Sequence, residues 1–270
     1  MSLKLDTLAY TNRLRGLPPE HKLIFAIVTL LISLAAHPPV QIIIALWMGI
    51  WTVIYAKIPA GIYIRILAVA SFFWLTSLPA LVINGVSVAD ISRVQNDSWQ
   101  GLDLGFYYIY ISRGGFYQAL TIFTRAFASV SCLYFLMLTV PFTEVLETLR
   151  RFKFPTLLIE LLLLMYRFIF ILWNTATDLS IAQKSRLGYR DFRTSIKSLA
   201  LLVGQLLKRT LQKYSQFSLG LEARGMNGEF RVYAPRRYRS SKRYILEALI
   251  GCVILISLEW WLNAGIFAGI

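Results

Sequence analysis

The 270-residue sequence predicts an all-α integral membrane protein, with about five transmembrane helices and a cytoplasmic domain of long crossed amphipathic helices. Three observations predict this class. Apolar residues make up 57% of the chain and gather in long runs instead of recurring at the spacing of a soluble core. The net charge of +14 is concentrated in the segments between those runs. One polar region carries an apolar stripe at helical spacing for about seven turns.

The spans follow in order. Leu23 to Ala36 is apolar and is stopped by His37-Pro38-Pro39; Val40 to Ala56 is the second run. Each falls short of the ~20 residues of a straight crossing, and together they read as two helices joined by a tight proline turn. The first run also fits a signal peptide cut near Ala36, but 22 fairly polar residues precede it. Ile62 to Asn84 is a third span, Gly85 to Gly115 a polar loop, and Phe116 to Val140 a fourth span. Arg125 sits inside the fourth, where a charge is costly unless it faces protein or snorkels. Ile245 to Leu262 is the last span, with Trp260 and Trp261 suited to an interface.

Residues 156–173 are apolar enough to cross, but carry Glu160 and Arg167 on one helical face. Charge decides their placement. Residues 141–243 hold 19 basic and 7 acidic side chains. If 156–173 crossed, most of that charge would lie outside. If they do not, every strongly basic segment falls on one side, opposite the loop 85–115 with its 2 basic and 3 acidic residues. The expectation is therefore five spans with the N-terminus inside, and six spans is the alternative. It divides the chain into a membrane domain over 1–140 (spans 23–36, 40–56, 62–84 and 116–140), cytoplasmic helices over 141–243, and a last transmembrane helix within 244–270.

Within the cytoplasmic part, Pro141 and Pro155 each suit the first turn of a helix. The first helix is short and ends in Arg150-Arg151. The second is long and stops near Gly188. A third runs from about Phe192 to Glu222, with Ile196, Leu199, Val203, Leu206, Thr210 or Leu211, Tyr214, Phe217 and Leu221 as its stripe. This stripe is expected to pack on a neighbouring helix. The two long helices end in matching tripeptides, Ser185-Arg186-Leu187 and Ala223-Arg224-Gly225. The ordinary account of such arginines is complementarity to the helix dipole. Matching placement on two paired helices argues for a shared role.

Several functions are excluded by what the sequence lacks. It has no GxxxxGK[ST] phosphate loop and no GxSxG, HExxH or GxGxxG motif. It has no recognisable nucleic-acid module, so the basic charge reads as topology and not as nucleic-acid binding. Its two histidines, His21 and His37, lie in separate segments. Its two cysteines, Cys132 and Cys252, lie in apolar runs and read as free thiols. Glu259, near a membrane end, reads as interfacial. No catalytic residue and no metal site are assigned.

Three stretches resemble a known family. They are DTLAYTNRLRGLPPEHKL from Asp6 to Leu23, FPTLLIELLLLMYRFIFILWNTATDLSIAQKSRLGY from Phe154 to Tyr189, and LGLEARGMNGEFRV from Leu219 to Val232. Together they resemble the T components of energy-coupling factor (ECF) transporters, most closely the CbiQ type of cobalt importers. The resemblance implies a non-catalytic scaffold that joins two cytoplasmic ATPase subunits to a small membrane S component carrying the substrate site. It makes 141–243 coupling helices, with Ser185, Arg186, Leu187, Ala223, Arg224 and Gly225 docking into the ATPases. Ser185 departs from the frequent Ala-Arg form. ATP and Mg would be bound by the partner ATPases, with no cofactor in this chain. The implied location is the cell inner membrane, multi-pass, in contact with the lipid bilayer, with a cytoplasmic N-terminus. Cobalt is the implied substrate, with nickel, or a vitamin such as biotin, as alternatives. A membrane-embedded lipid-acting enzyme and a simple membrane anchor are the competing functions.

Overall fold

The structure, a computed structural model, describes residues 2–87, 98–103, 107–225, 238 and 241–267. Most of the connection from Met226 to Ser240 and part of the loop at 85–115 lie outside the described residues. The protein is helical and has five described helices long and apolar enough to cross a membrane: Pro38–Tyr55, Ala60–Val82, Arg113–Thr139, Thr156–Ser185 and Lys242–Asn263. The number is the expected one, but the membership differs. The first apolar run lies in a helix of only 17 residues, Pro19–Ala35, while Thr156–Ser185 qualifies by length and composition.

The helices are α1 (Ser2–Thr11), α2 (Pro19–Ala35), α3 (Pro38–Ile50), α4 (Ala60–Val82), α5 (Arg113–Thr139), α6 (Phe142–Arg151), α7 (Thr156–Ser185), α8 (Phe192–Glu222) and α9 (Lys242–Phe267). They fall into two compact units, Met1–Val145 with Arg237–Ile270, and Leu146–Arg236.

In the first unit, α5 packs along α2, α3 and α4. Prolines set the starts of both helices: α2 opens at Pro19 and α3 at Pro38, where a missing N–H costs no intrahelical bond. Small residues on α5, including Ala119, Ala128, Ser131 and Cys132, let the helices approach closely. Gly115 is one such contact, because a Cβ there would lie 2.5 Å from the Leu81 carbonyl. Both cysteines are free. Arg125 is exposed on α5 and not sheltered against the other helices.

The centre of this unit is an aromatic cluster. Phe25 lies 5.2 Å from Trp47, 5.0 Å from Trp51 and 5.7 Å from Phe135 between ring centroids. Trp51 opens a π-helical turn, Trp51–Tyr55, that continues α3. Wider i→i−5 closure there is seen in Ala56 N–H donating to the Trp51 carbonyl at 3.0 Å.

Buried polar groups pin the helix ends. Gln41 Nε2 donates to the Ala36 and Ser33 carbonyls at 2.7 and 3.2 Å, and Thr124 Oγ1 donates to Gln41 Oε1 at 2.7 Å. The α2–α3 turn is thereby tied to α5. Glu259 of α9 reaches the same turn, accepting from His37 N–H at 3.1 Å, with His37 Nδ1 2.5 Å from its other oxygen. A carboxylate at the start of α3 satisfies a free N–H and complements the helix dipole. At the opposite end, Lys22 Nζ donates to the Thr139 carbonyl at 3.1 Å, and Asn12 Nδ2 to the same carbonyl at 3.2 Å. Two residues of the N-terminal motif thus cap the C-terminus of α5.

The loop expected at 85–115 contains a three-stranded antiparallel sheet, ordered β1 (Ile83–Ser87), β3 (Tyr107–Ser112), β2 (Ser98–Asp103). Ile83 pairs with Ile111 and Gly101 with Tyr110. The run YYIYIS explains β3, because aromatic and β-branched residues suit a pleated strand.

Candidate functional site at the helix tips

All six residues singled out from the sequence lie in the second unit, at the ends of α7 and α8. These two helices pack antiparallel. Gln183 meets Ser198 near one end, Lys213 Nζ donates to Thr175 Oγ1 at 3.2 Å further along, and Phe168 and Phe217 meet edge to face at 6.2 Å. Arg167 stacks its guanidinium over Phe217 at 5.0 Å, which satisfies one of the two charges in the apolar part of α7.

The end of α7 is a Schellman turn. Gly188 N–H donates to the Gln183 carbonyl at 2.9 Å, and Leu187 N–H to the Lys184 carbonyl at 3.1 Å. The left-handed position of such a turn ordinarily takes glycine, yet here it is Leu187, at φ 57°. Gly188 is required for a different reason. A Cβ there would sit 2.8 Å from Ser198 Oγ and 2.9 Å from the Gln183 carbonyl. Two hydrogen bonds tie the turn to α8 and a third braces it internally. Gln183 Nε2 donates to the Ser198 carbonyl at 2.9 Å, Tyr189 Oη to Gln183 Oε1 at 2.8 Å, and Ser198 Oγ to the Gly188 carbonyl at 2.6 Å.

This tie holds Ser185, Arg186 and Leu187 outward, and all three are exposed. Phe192, the first residue of α8, is 84% exposed beside them. Sequence reasoning missed Phe192, because an aromatic at a helix start reads as part of the packed face. The α7 tip therefore offers one guanidinium with two bare apolar side chains close by in the chain, a composition suited to an interface anchor.

The end of α8 repeats the local geometry. Ala223 N–H donates to the Leu219 carbonyl at 3.0 Å, Arg224 N–H to Leu221 at 3.1 Å, and Gly225 turns left-handed at φ 67°. Ala223, Arg224 and Gly225 are exposed. In both tripeptides the arginine directly precedes the left-handed residue. Because the helices are antiparallel, the two tips lie at opposite ends of α8, separated by about 45 Å at 1.5 Å per residue.

The apolar stripe expected on α8 is only partly used for packing. Leu206, Thr210, Phe217 and Leu221 are half-buried, but Ile196, Leu199, Val203, Leu211 and Tyr214 stay exposed. Ser198 packs instead, drawn in by its bonds to the α7 turn. The exposed apolar row leaves a surface of a kind that marks an interaction site.

Among the described residues no group of three His, Cys, Asp or Glu side chains comes together that could hold a metal ion. His37 meets Glu259 alone, and His21 is not part of that pair.

The profile of the CbiQ family, described as "Cobalt transport protein", matches residues 11–234. The "Cobalt transport protein CbiQ" of Salmonella typhimurium is 28% identical over 84% of this chain and 99% of its own length. The protein of the same name from Rhodobacter capsulatus is 29% identical over 86% of this chain and 88% of its own. A "Putative fused cobalt transport protein CbiMQ" from Methanocorpusculum labreanum is 26% identical over 83% of this chain, which covers 36% of that longer protein. With a family profile spanning most of its length and relatives aligned nearly end to end, this multi-pass membrane chain belongs to the CbiQ family of cobalt transport proteins.

Proposed function

We propose that the chain is the T component of an ECF-type cobalt importer, a non-catalytic scaffold that passes ATP-driven motion from a pair of ATPases to a substrate-binding S component. The observation that carries this reading is the matched geometry of Arg186 and Arg224. Each precedes a left-handed residue on an exposed tip, and the tips stand at opposite ends of one tied helix pair. A rigid bar with a cationic fork at each end suits two separate grooves on two separate subunits. Closure of the ATPases then moves both tips, and packed helices carry such motion as rigid bodies.

The S component holds cobalt in this account, and the ATPases hold ATP and Mg. The fused relative supports a close membrane partner, because it continues in one chain well beyond the part matched here.

The membrane arrangement supports a cytoplasmic placement of residues 141–243 in the inner membrane. Thr139, at the end of α5, is bonded to Lys22, and Lys22 lines the same cavity as Ser241 and Tyr244 at the start of α9. The chain thus leaves and re-enters the first unit at one end. A single crossing by α7 would bring it back at the other. Because the basic residues 141–243 are joined to the first unit at that end, the positive-inside rule assigns that end and the N-terminus to the cytoplasm.

Affinity purification of the tagged chain from its native membranes in mild detergent, with mass spectrometry of what accompanies it, tests the reading. Two P-loop ATPases, or two copies of one, with a small histidine-bearing membrane protein are expected. Several different small membrane proteins would point to a shared vitamin module. Absence of any ATPase would contradict the proposal.

A further inference from the structure

The first unit contains a cleft of about 230 Å³ between α2 and α9, floored by the aromatic cluster at Trp51 and Phe135. Its strongly polar lining groups lie at one end, with His21 and Lys22 from α2 and Ser241 and Tyr244 from the start of α9. From there it follows α9 past Ala248 to Cys252, and α2 as far as Val28. The path from Ser241 to Cys252 is roughly 16 Å at 1.5 Å per residue. One leaflet of a bilayer has a hydrocarbon depth of about 15 Å. The cleft therefore runs from the membrane interface to near the bilayer centre, and its deep part is lined by apolar side chains apart from the weakly polar Cys252 thiol and the Trp51 indole.

These dimensions select the occupant. A water-soluble ligand would leave polar groups unpaired in the deep part. An α-helix about 10 Å across is too wide to enter between α2 and α9, which still touch each other. An acyl chain is thin and needs no hydrogen bonds.

The charge at the mouth selects the headgroup. Lys242 is exposed at the first position of α9, next to Ser241. Lys22 is part of the lining itself. The nearby acidic side chains are Glu20, Glu144, whose charge reaches Lys22, and Glu247, which is paired with Arg243 at 2.8 Å. Basic clusters beside a membrane-spanning helix attract anionic lipid.

We propose that this cleft is a phospholipid site, taking one acyl chain of an anionic lipid against Trp51 and Ala248 with its phosphate at the His21, Ser241, Tyr244 and Lys242 mouth. The site does not depend on the partner reading above. A bound lipid fills the gap between α2 and α9 and braces the helix that leads back from the basic segment.

The test uses the full chain purified in mild detergent and titrated with dioleoyl-phosphatidylglycerol or dioleoyl-phosphatidylcholine, read by native mass spectrometry. One phosphatidylglycerol is expected to be retained about tenfold more tightly than phosphatidylcholine, a difference of the size that one to two basic groups near the headgroup supply. Ala248→Trp, which fills the cleft, should lose both lipids, and Val28→Trp should do the same from the opposite wall. Lys242→Gln should lower the preference for phosphatidylglycerol about fivefold, the factor that 1 kcal/mol represents. Ile250→Trp, on the exposed far side of α9, should change neither. Equal retention of the two lipids by the wild-type chain would overturn the proposal without recourse to any variant. So would wild-type retention of phosphatidylglycerol by both cleft-filling variants.

Discussion

Leu187 and Gly225 share a left-handed backbone, at φ 57° and 67°, and each directly follows an arginine. For glycine that conformation is free. For leucine it costs about 1–2 kcal/mol. Strain of this kind on an exposed apolar residue is maintained by its surroundings, here the Gln183–Ser198–Tyr189 tie. Leu187→Gly should therefore raise the stability of the chain by about 0.5–1 kcal/mol, the relief being offset in part by glycine's freedom when unfolded. It should also weaken ATPase retention, because a bare apolar side chain is removed from the tip. Thermal melting and co-purification of the same variant read the two effects. Greater stability with unchanged retention would remove Leu187 from the docking surface.

Gly251 of α9 sits against Trp47 of α3, where a Cβ would lie 2.1 Å from the indole ring. Gly251→Val should therefore push α9 off the aromatic cluster, at a cost of about 1–3 kcal/mol. Trp47→Ala creates space at the same point, so the double variant should be less destabilised than the sum of the two singles. Simple additivity in the melting data would mean that the two helices do not meet there.

Lys22 lies just before the first apolar run and is 4% exposed. Burial lowers its pKa from 10.5 to about 8, against the opposing attraction of Glu144 and with a further push from Arg15. Between those values the unfolded chain holds a proton that the folded chain has released. Stability should therefore rise with pH from about 8 to 10.5, by on the order of 3 kcal/mol in full. Lys22→Met lacks the titrating group. The stability of the wild type relative to this variant should climb over that window and stay level below it. Parallel pH profiles for the two proteins would show that the amine is not buried as described.

Much of the membrane part was legible in the sequence because each span is a local property. The apolar runs 62–84, 116–140 and 245–262 fall within or close to α4, α5 and α9, and the prolines after His37 mark the α2–α3 turn. The pairs that hold these helices together were not legible. Gln41 with Thr124, His37 with Glu259, and Lys22 with Thr139 join positions from 83 to 222 residues apart. A single sequence carries no sign of such pairing. The α8 stripe misled for a related reason. Periodicity marks apolar positions, but the packed face was decided by Ser198, a polar residue held by Gln183 and Gly188. The strands at 83–112 were obscured by their polar and glycine-rich surroundings, although YYIYIS by itself favours a strand. At the tips, the tripeptides could be picked out by their matching placement. Their common left-handed turn and the exposed Phe192 emerge only in three dimensions.

The central claim is that Arg186 and Arg224 are the two docking points of one coupling bar. The measurement that tests it most directly is cobalt uptake, with ATPase co-purification, for Arg186→Glu, Arg224→Glu and the double variant in the full complex. Reversing a paired interface charge typically costs several kcal/mol, so each single variant should lose most uptake and the double variant should lose the ATPases altogether. Wild-type uptake and assembly in both single variants would contradict the account.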